Sequence, residues 1–221
     1  MPPSDADLRA IVANTVQTSP PLCPELTLRL ITPGSRLFRA TEADAERAGL
    51  PWPFWAFAWP GGQAVARYLL DHPAQVEGKS VLDFGAGCGI GAIAAALAGA
   101  RRVLAADIDP RAVAAIAVNA ELNGVALETT ERDLIGDTVD EWDLILAGDM
   151  YYDAEESRRT SGWLHAAARR GVRVWIGDPA RGFFDEAGTR ALATYQAPAD
   201  NDADGTRRVA TTVYELQGWH P

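Results

Sequence analysis

Four apolar runs punctuate the chain: SVLDFG at 80–85, RVLAADI at 102–108, WDLILAGDM at 142–150 and VRVWIGD at 172–178. Runs of this kind predict parallel strands apolar on both faces, because helices cover both sides of a parallel sheet. The segments between them carry helix signals. GGQAVARYLLDHP, 61–73, reads as a helix ended by Pro73. Asp109 is placed to cap a helix with Pro110 in its first position and Gly124 at its end. Asp153 with Glu156 makes a capping-box-like start to a helix that stops at Gly171. ALETTERD, 126–133, is a weaker strand between the second and third runs.

This alternation predicts the α/β class: a doubly wound, mostly parallel, Rossmann-like sheet with its ligand crevice at the carboxyl ends of the strands. The last two strand candidates, TRALATYQ and RRVATTVYEL, are joined by the polar APADNDADG rather than by a helix. Strands joined in that way run antiparallel, so the sheet ends in a C-terminal hairpin. Ahead of this body come a short helix near 4–15, the proline-rich break SPPLCP, an alternating strand LTLRLI at 26–31 and a helical TEADAERAGL. PWPFWAFAWPGG, 51–62, reads as an aromatic flap that both packs the front segment onto the sheet and lids a pocket.

Length and composition narrow the class. A chain of 221 residues, 48% hydrophobic and 23% charged, reads as one globular domain over 1–221, with 1–60 as extension and flap and 61–221 as the α/β body. No apolar run reaches the ~20 residues of a membrane span, and MPPSDADLRA lacks the pattern of a secretory or mitochondrial leader, so the expected location is cytoplasmic. A net charge of −10 repels a phosphate backbone and argues against nucleic acid as the main partner, whereas a lysine-bearing partner is accommodated. The expected state is monomeric. Cys23 and Cys88 have no companion pattern for a disulfide or zinc and read as buried thiols. His72, His165 and His220 are too scattered for a triad or a ligand set, and no metal is expected.

The candidate chemistry begins in VLDFGAGCGIGAIAAAL, 81–97, where a strand passes through Gly85, Gly87 and Gly89 into an alanine-rich helix. Such a turn brings backbone close to a ligand and offers the N-terminal amides of the helix. Residues 87–92 also satisfy the G-x-G-x-x-G/A dinucleotide pattern, so a nicotinamide oxidoreductase is weighed. Asp83 separates the two readings. A carboxylate there repels a diphosphate but suits a ligand with an ammonium and a sulfonium, which favours S-adenosylmethionine over NAD. Asp107, ending the next strand, suits ribose hydroxyls in either class, and Asp133 is placed to accept from an adenine amino group.

At these residues the body resembles the class I, seven-β-strand S-adenosylmethionine-dependent methyltransferases, which implies a seven-stranded sheet with the last strand antiparallel. PFWAFAWPGGQAVARYLLD, AADIDP, WDLILAGDMYYD and VWIGDPAR more specifically resemble the family of lysine methyltransferases that modify the electron transfer flavoprotein beta subunit. The resemblance implies that Asp83, Gly85, Gly87 and Asp107 bind the cofactor, that Trp59 borders it, and that Asp149 and Tyr152, as Asp-x-x-Tyr, face the target lysine. A ribosomal protein, as in the methyltransferase of ribosomal protein L11, and a small-molecule amine stay open as alternative substrates.

Lysine must shed a proton from an amine of pKa about 10.4, and water-excluding aromatic walls, here Tyr151, Tyr152 and the Trp55/Trp59 region, push that value down. Asp149 pulls the other way, because a carboxylate stabilises the ammonium. Its expected task is therefore to capture and orient lysine, with the proton going to water. GDPAR, 177–181, brings Asp178 or Arg181 to the crevice mouth.

Overall fold

The computed structural model describes residues 5–32, 52–199 and 206–218. The expected helix TEADAERAGL, His220 and most of the polar stretch between the last two strands lie outside them. In chain order the elements are α1 (Asp5–Asn14), β1 (Val16–Thr18), β2 (Leu28–Leu30), α2 (Pro60–Asp71), β3 (Ser80–Phe84), α3 (Ile90–Leu97), β4 (Arg102–Ala106) and α4 (Pro110–Leu122). β5 (Glu128–Thr130), β6 (Leu144–Gly148), α5 (Ala154–Arg169), β7 (Arg173–Asp178), β8 (Thr189–Pro198) and β9 (Arg208–Leu216) follow.

Alternate residues of the central strands go to opposite faces of one sheet. Val81, Leu144, Leu146 and Trp175 join an apolar cluster with α2 and α3. Their neighbours Leu82, Ile145, Val174 and Ile176 join a second cluster with Trp163 and Leu164 of α5. Burial on both sides is what the unbroken apolar runs encode.

The seven strands lie in the order β5-β4-β3-β6-β7-β9-β8. β5 through β7 are parallel, while β9 runs antiparallel to both β7 and β8. The chain winds outward from β3 through β4 to β5 and then returns to β6, so the direction of winding reverses between β3 and β6. That reversal is where a doubly wound sheet opens its crevice.

The caps follow the sequence with one difference. Asp109 accepts the Arg111 amide at 2.8 Å, and Asp153 accepts the amides of Glu155 and Glu156. Glu156 does not complete a capping box; its carboxylate pairs with Arg159. α2 starts at Pro60, one residue ahead of the sequence reading, because proline is suited to a first helical position.

The front segment departs more. β1 pairs antiparallel with β2, a pairing that three-residue strands do not announce in sequence. β2 is shorter than LTLRLI: just outside it the Thr27 amide donates to Asn123 at 3.0 Å and the Ile31 amide to the Ala56 carbonyl at 2.8 Å, while within it the Arg29 amide donates to Asn119 at 2.7 Å. The flap packs on a helix rather than on the sheet. Trp55 and Ala56 are buried on Ala112 and Ala115 of α4, while Phe54 and Trp59 face the crevice.

The first turn of α2 meets the ends of β6 and β7 backbone to backbone. A Cβ on Gly61 would lie 2.2 Å from the Gly177 carbonyl oxygen, one on Gly177 2.2 Å from that of Gly61, and one on Gly148 2.7 Å from the Gly62 Cα. Only glycine permits this approach, and it delivers the amide of Gly62 to the end of β6. No helix among the described residues is long and apolar enough to cross a membrane.

Candidate active site

The glycine turn between β3 and α3 is held by backbone hydrogen bonds, one of them to β4. Ala86 N–H donates to the Ala106 carbonyl at 3.0 Å and Gly89 N–H to that of Ala86 at 2.7 Å. Asp83 is turned beneath the start of α3, where its Oδ2 accepts the Ala92 amide at 2.7 Å. Burial pushes its pKa up to about 7, and the nearby charge of Asp107 adds to the rise. A hidden acid whose charged neighbour is a second acid holds its negative charge poorly until a cation arrives.

The three glycines of the turn divide the work. Gly87, at φ +54°, has open space where a Cβ would stand and faces the crevice. At Gly85 a Cβ would strike the Met150 sulfur at 2.1 Å, so that glycine both lines the crevice and makes room for β6's extension. Gly89 is the N-cap of α3 and is covered by Ile116, which would lie 3.1 Å from a Cβ at that position, away from the crevice.

Asp107 and Asp133 complete the β4–β5 side. Asp107 Oδ2 accepts the Gly87 amide at 2.8 Å and Oδ1 that of Asp109 at 2.9 Å, with burial raising its pKa. Asp133 is placed on the rim with its carboxylate engaged, Oδ1 by the Ile135 amide at 3.0 Å and Oδ2 by Arg159 at 2.8 Å.

The β6–β7 side is built from three distant stretches. Asp149 follows β6 in a left-handed conformation, φ +57°, rare for a side-chain-bearing residue and tolerated best by Asp and Asn. Its amide donates to the Gly177 carbonyl at 2.9 Å. Oδ2 accepts the Gly62 amide at 2.8 Å, and Oδ1 is ion-paired with Arg181, which also lies 6.0 Å from the Trp59 ring centre. Asp178 shapes the turn that presents Arg181: Oδ1 accepts the Ala180 amide at 2.7 Å, and Ala180 is itself left-handed at φ +62°.

Aromatic groups wall this side. Tyr152 is 46% exposed and stacks on Phe54 at 5.9 Å, with Trp59 a further 6.1 Å from Phe54. Tyr151, expected beside it as a wall, instead points to the opposite face, fully buried against Phe184. The two adjacent tyrosines of the loop after β6 are therefore split between core and site.

The two sides enclose a cavity of about 610 Å³, within the range of small-ligand sites, and an inner recess of about 30 Å³ under the glycine turn. Both are bordered by Trp59, Gly85, Gly87 and Asp149. Asp83 opens onto the recess, while Asp107, Asp133 and Tyr152 open onto the larger space. Of the sequence-derived candidates, Gly89, Tyr151 and Asp178 border neither. Sequence reasoning missed Gly62, whose only signal is the paired glycine after Trp-Pro, and it gave Arg181 no partner. The recess suits the ammonium end of a cationic ligand: a buried carboxylate awaits it, and Gly87 leaves the backbone bare.

The chain is similar to known methyltransferases. The family model described as ribosomal protein L11 methyltransferase (PrmA) matches residues 67–148. The electron transfer flavoprotein beta subunit lysine methyltransferase of Danio rerio is 46% identical over 195 residues, 85% of this chain and 74% of the relative. Its namesake from Homo sapiens is 45% identical over 188 residues, 81% of this chain and 69% of the relative. Among solved structures, magnesium protoporphyrin IX methyltransferase from Synechocystis PCC 6803 with bound SAM aligns at a TM-score of 0.53 and 18% identity. That alignment covers 71% of this chain and 79% of the other, and is a likeness of fold.

Proposed function

Since the chain belongs to the family of electron transfer flavoprotein beta subunit lysine methyltransferases, we propose that it methylates lysine side chains of that beta subunit with S-adenosylmethionine as donor. The observation that carries the reading is one cavity with two acids in different states. Asp83 is buried without a compensating charge under the glycine turn, and Asp149, paired with Arg181, borders both the same recess and the larger aromatic-walled space. The first suits a cofactor's ammonium; the second suits an incoming lysine. A dinucleotide would have to lay its phosphates beside Asp83, which disfavours an oxidoreductase.

When bound, S-adenosylmethionine supplies a methyl group already activated on sulfur, so no metal or covalent enzyme intermediate is needed. Asp83, Gly85 and Gly87 would hold its amino acid end and Asp107 its ribose. Asp149 and Tyr152 would receive the lysine and fix the direction of its nitrogen, and positioning of that kind is the larger part of catalysis for a reactive donor. Trp59 and Phe54 exclude water from the amine, which favours its neutral form. The proton leaves to solvent at the rim.

The test mixes the protein with electron transfer flavoprotein and methyl-labelled cofactor, followed by mass spectrometry of the beta subunit. Label on a beta-subunit lysine is expected, as is calorimetric binding of S-adenosylhomocysteine and none of NAD. Label on a ribosomal protein in a parallel lysate, with the flavoprotein untouched, would move the substrate assignment. The family model over 67–148 covers the cofactor side and bears on the donor rather than the acceptor.

A further inference from the structure

We propose that Arg181 is a positioning residue that neutralises Asp149, so that the carboxylate orients the target lysine without holding it as an unreactive ammonium. The inference rests on the reading of Asp149 as the lysine-facing acid.

A bare carboxylate beside lysine raises the amine's pKa by about one to three units, in the wrong direction for a nucleophile that must be neutral. In the structure that carboxylate is not bare. Arg181 is paired with Oδ1, while Oδ2 accepts the Gly62 amide at 2.8 Å from the positive end of α2. The Asp149 and Arg181 side chains are 8% and 20% exposed, so solvent screens the pair little. The charge of Asp149 is thereby offset. A cation beside a lysine amine also lowers that amine's pKa directly.

Among the described residues, the other charged groups around the cavity are committed elsewhere. Asp83, across the recess on β3, accepts from Ala92, and Asp107 at the end of β4 accepts from Gly87 and Asp109. Arg159 of α5 is paired with Asp133 and Glu156, and Arg111 of α4 with Asp109. Arg132 is paired with Asp137, and Asp178 serves its own turn. Among the described residues, Arg181 is the cation that faces Asp149. Its placement is built: Asp178 fixes the turn, Ala180 accepts a strained left-handed conformation, and the guanidinium is laid between Asp149 and the Trp59 ring.

The experiment compares the unaltered chain with Arg181→Gln and Arg181→Lys, with electron transfer flavoprotein as the methyl acceptor. It measures kcat and KM from pH 6.5 to 10 and calorimetric proton release when the acceptor binds in the presence of S-adenosylhomocysteine. Arg181→Gln is expected to move the rising limb of the rate profile up by about one pH unit or more. It lowers kcat about tenfold at pH 7.5 with KM unchanged or lower, and it loses the proton release seen with the parent. Arg181→Lys keeps the charge and the parental profile. A uniform fall in kcat with an unmoved profile and intact proton release would overturn the proposal, and so would a faster enzyme at pH 7.5 with lower KM, the mark of a plug rather than a neutralising partner. If the unaltered chain transfers nothing to lysine at any pH, the functional reading itself fails, and that is seen before any variant is made.

Discussion

On the β3–β4 side of the crevice, backbone amides hold the carboxylates: Asp83 takes Ala92, and Asp107 takes Gly87 and Asp109. On the β6–β7 side, among the described residues, Asp149 takes an amide and a guanidinium, brought from 87 residues before it and 32 after it. Amide donors fix a carboxylate's direction but leave its charge standing, whereas a guanidinium removes both freedoms. The first side is therefore a receptor for a cation that stays cationic, and the second is suited to a cation that has to lose its proton.

The strongest way to break this contrast is to remove the standing charge. Asp83→Asn keeps an oxygen for the Ala92 amide and is expected to weaken S-adenosylhomocysteine binding about a thousandfold, as losing one partner of a buried ionic contact does. The same variant gains stability where the parent loses it. Asp83 has a pKa near 7 in the folded chain against an ordinary 3.8, so the folded state binds the extra proton between those values. Its stabilising contribution is fully present below about pH 4 and is lost as the pH rises through about 7, on the order of 4 kcal/mol in all. The melting-temperature gap between Asp83→Asn and the ligand-free parent should therefore widen from pH 5 to pH 8. Equal melting temperatures at both pH values, with cofactor affinity retained, would show that the acid is merely a turn residue.

Asp149→Asn is the matching change on the other side, and its effect is expected to be smaller and of a different kind. Asn tolerates the left-handed backbone and still accepts the Gly62 amide, so the fold and cofactor affinity should survive, the latter within about twofold. Turnover should fall about a hundredfold, the scale of a nucleophile held out of line. Single-turnover methyl transfer beside calorimetry separates the two; undiminished turnover would remove Asp149 from the acceptor side.

The two sides also differ in how plainly the sequence announces them. Asp83, the glycine turn and Asp107 lie within two consecutive strand–helix units, so a local pattern names nearly all of the receptor. The doubly wound sheet and its terminal hairpin are legible for the same reason, since apolar runs and caps are local signals. What is not legible comes from long-range contact. Arg181 stands in the sequence only as a residue at the crevice mouth, because nothing in GDPAR states that Asp149 is its partner. Tyr151 and Tyr152 are adjacent in sequence yet part between the core and the crevice, and the pattern YY does not say which goes inward. Gly89 looks like its two companions, but Ile116 of the next helix covers it. Asp133 reads as free to meet adenine, and Arg159 from α5 engages it.

The smallest expected effects set one glycine from each side against the other. At Gly177 an added Cβ would lie 2.2 Å from the Gly61 carbonyl oxygen and 2.7 Å from its carbon, and both belong to backbone that has no rotamer to yield. Gly177→Ala should therefore cost about 1–3 kcal/mol, the scale of overpacking, or roughly 2–4 °C in melting temperature per kcal/mol at this size. Because the displaced backbone carries the Gly62 amide, acceptor turnover should fall with it. At Gly87 no atom lies within 4 Å of the added methyl, and the cost is the left-handed φ of +54° alone. That strain is about 1–2 kcal/mol, partly offset by the stiffer unfolded chain, so Gly87→Ala should lower the melting temperature less than Gly177→Ala does. Thermal denaturation without ligand decides it. Equal shifts would mean that α2 is free to slide off β7, and the close glycine contact would then not be what holds the acceptor side in register.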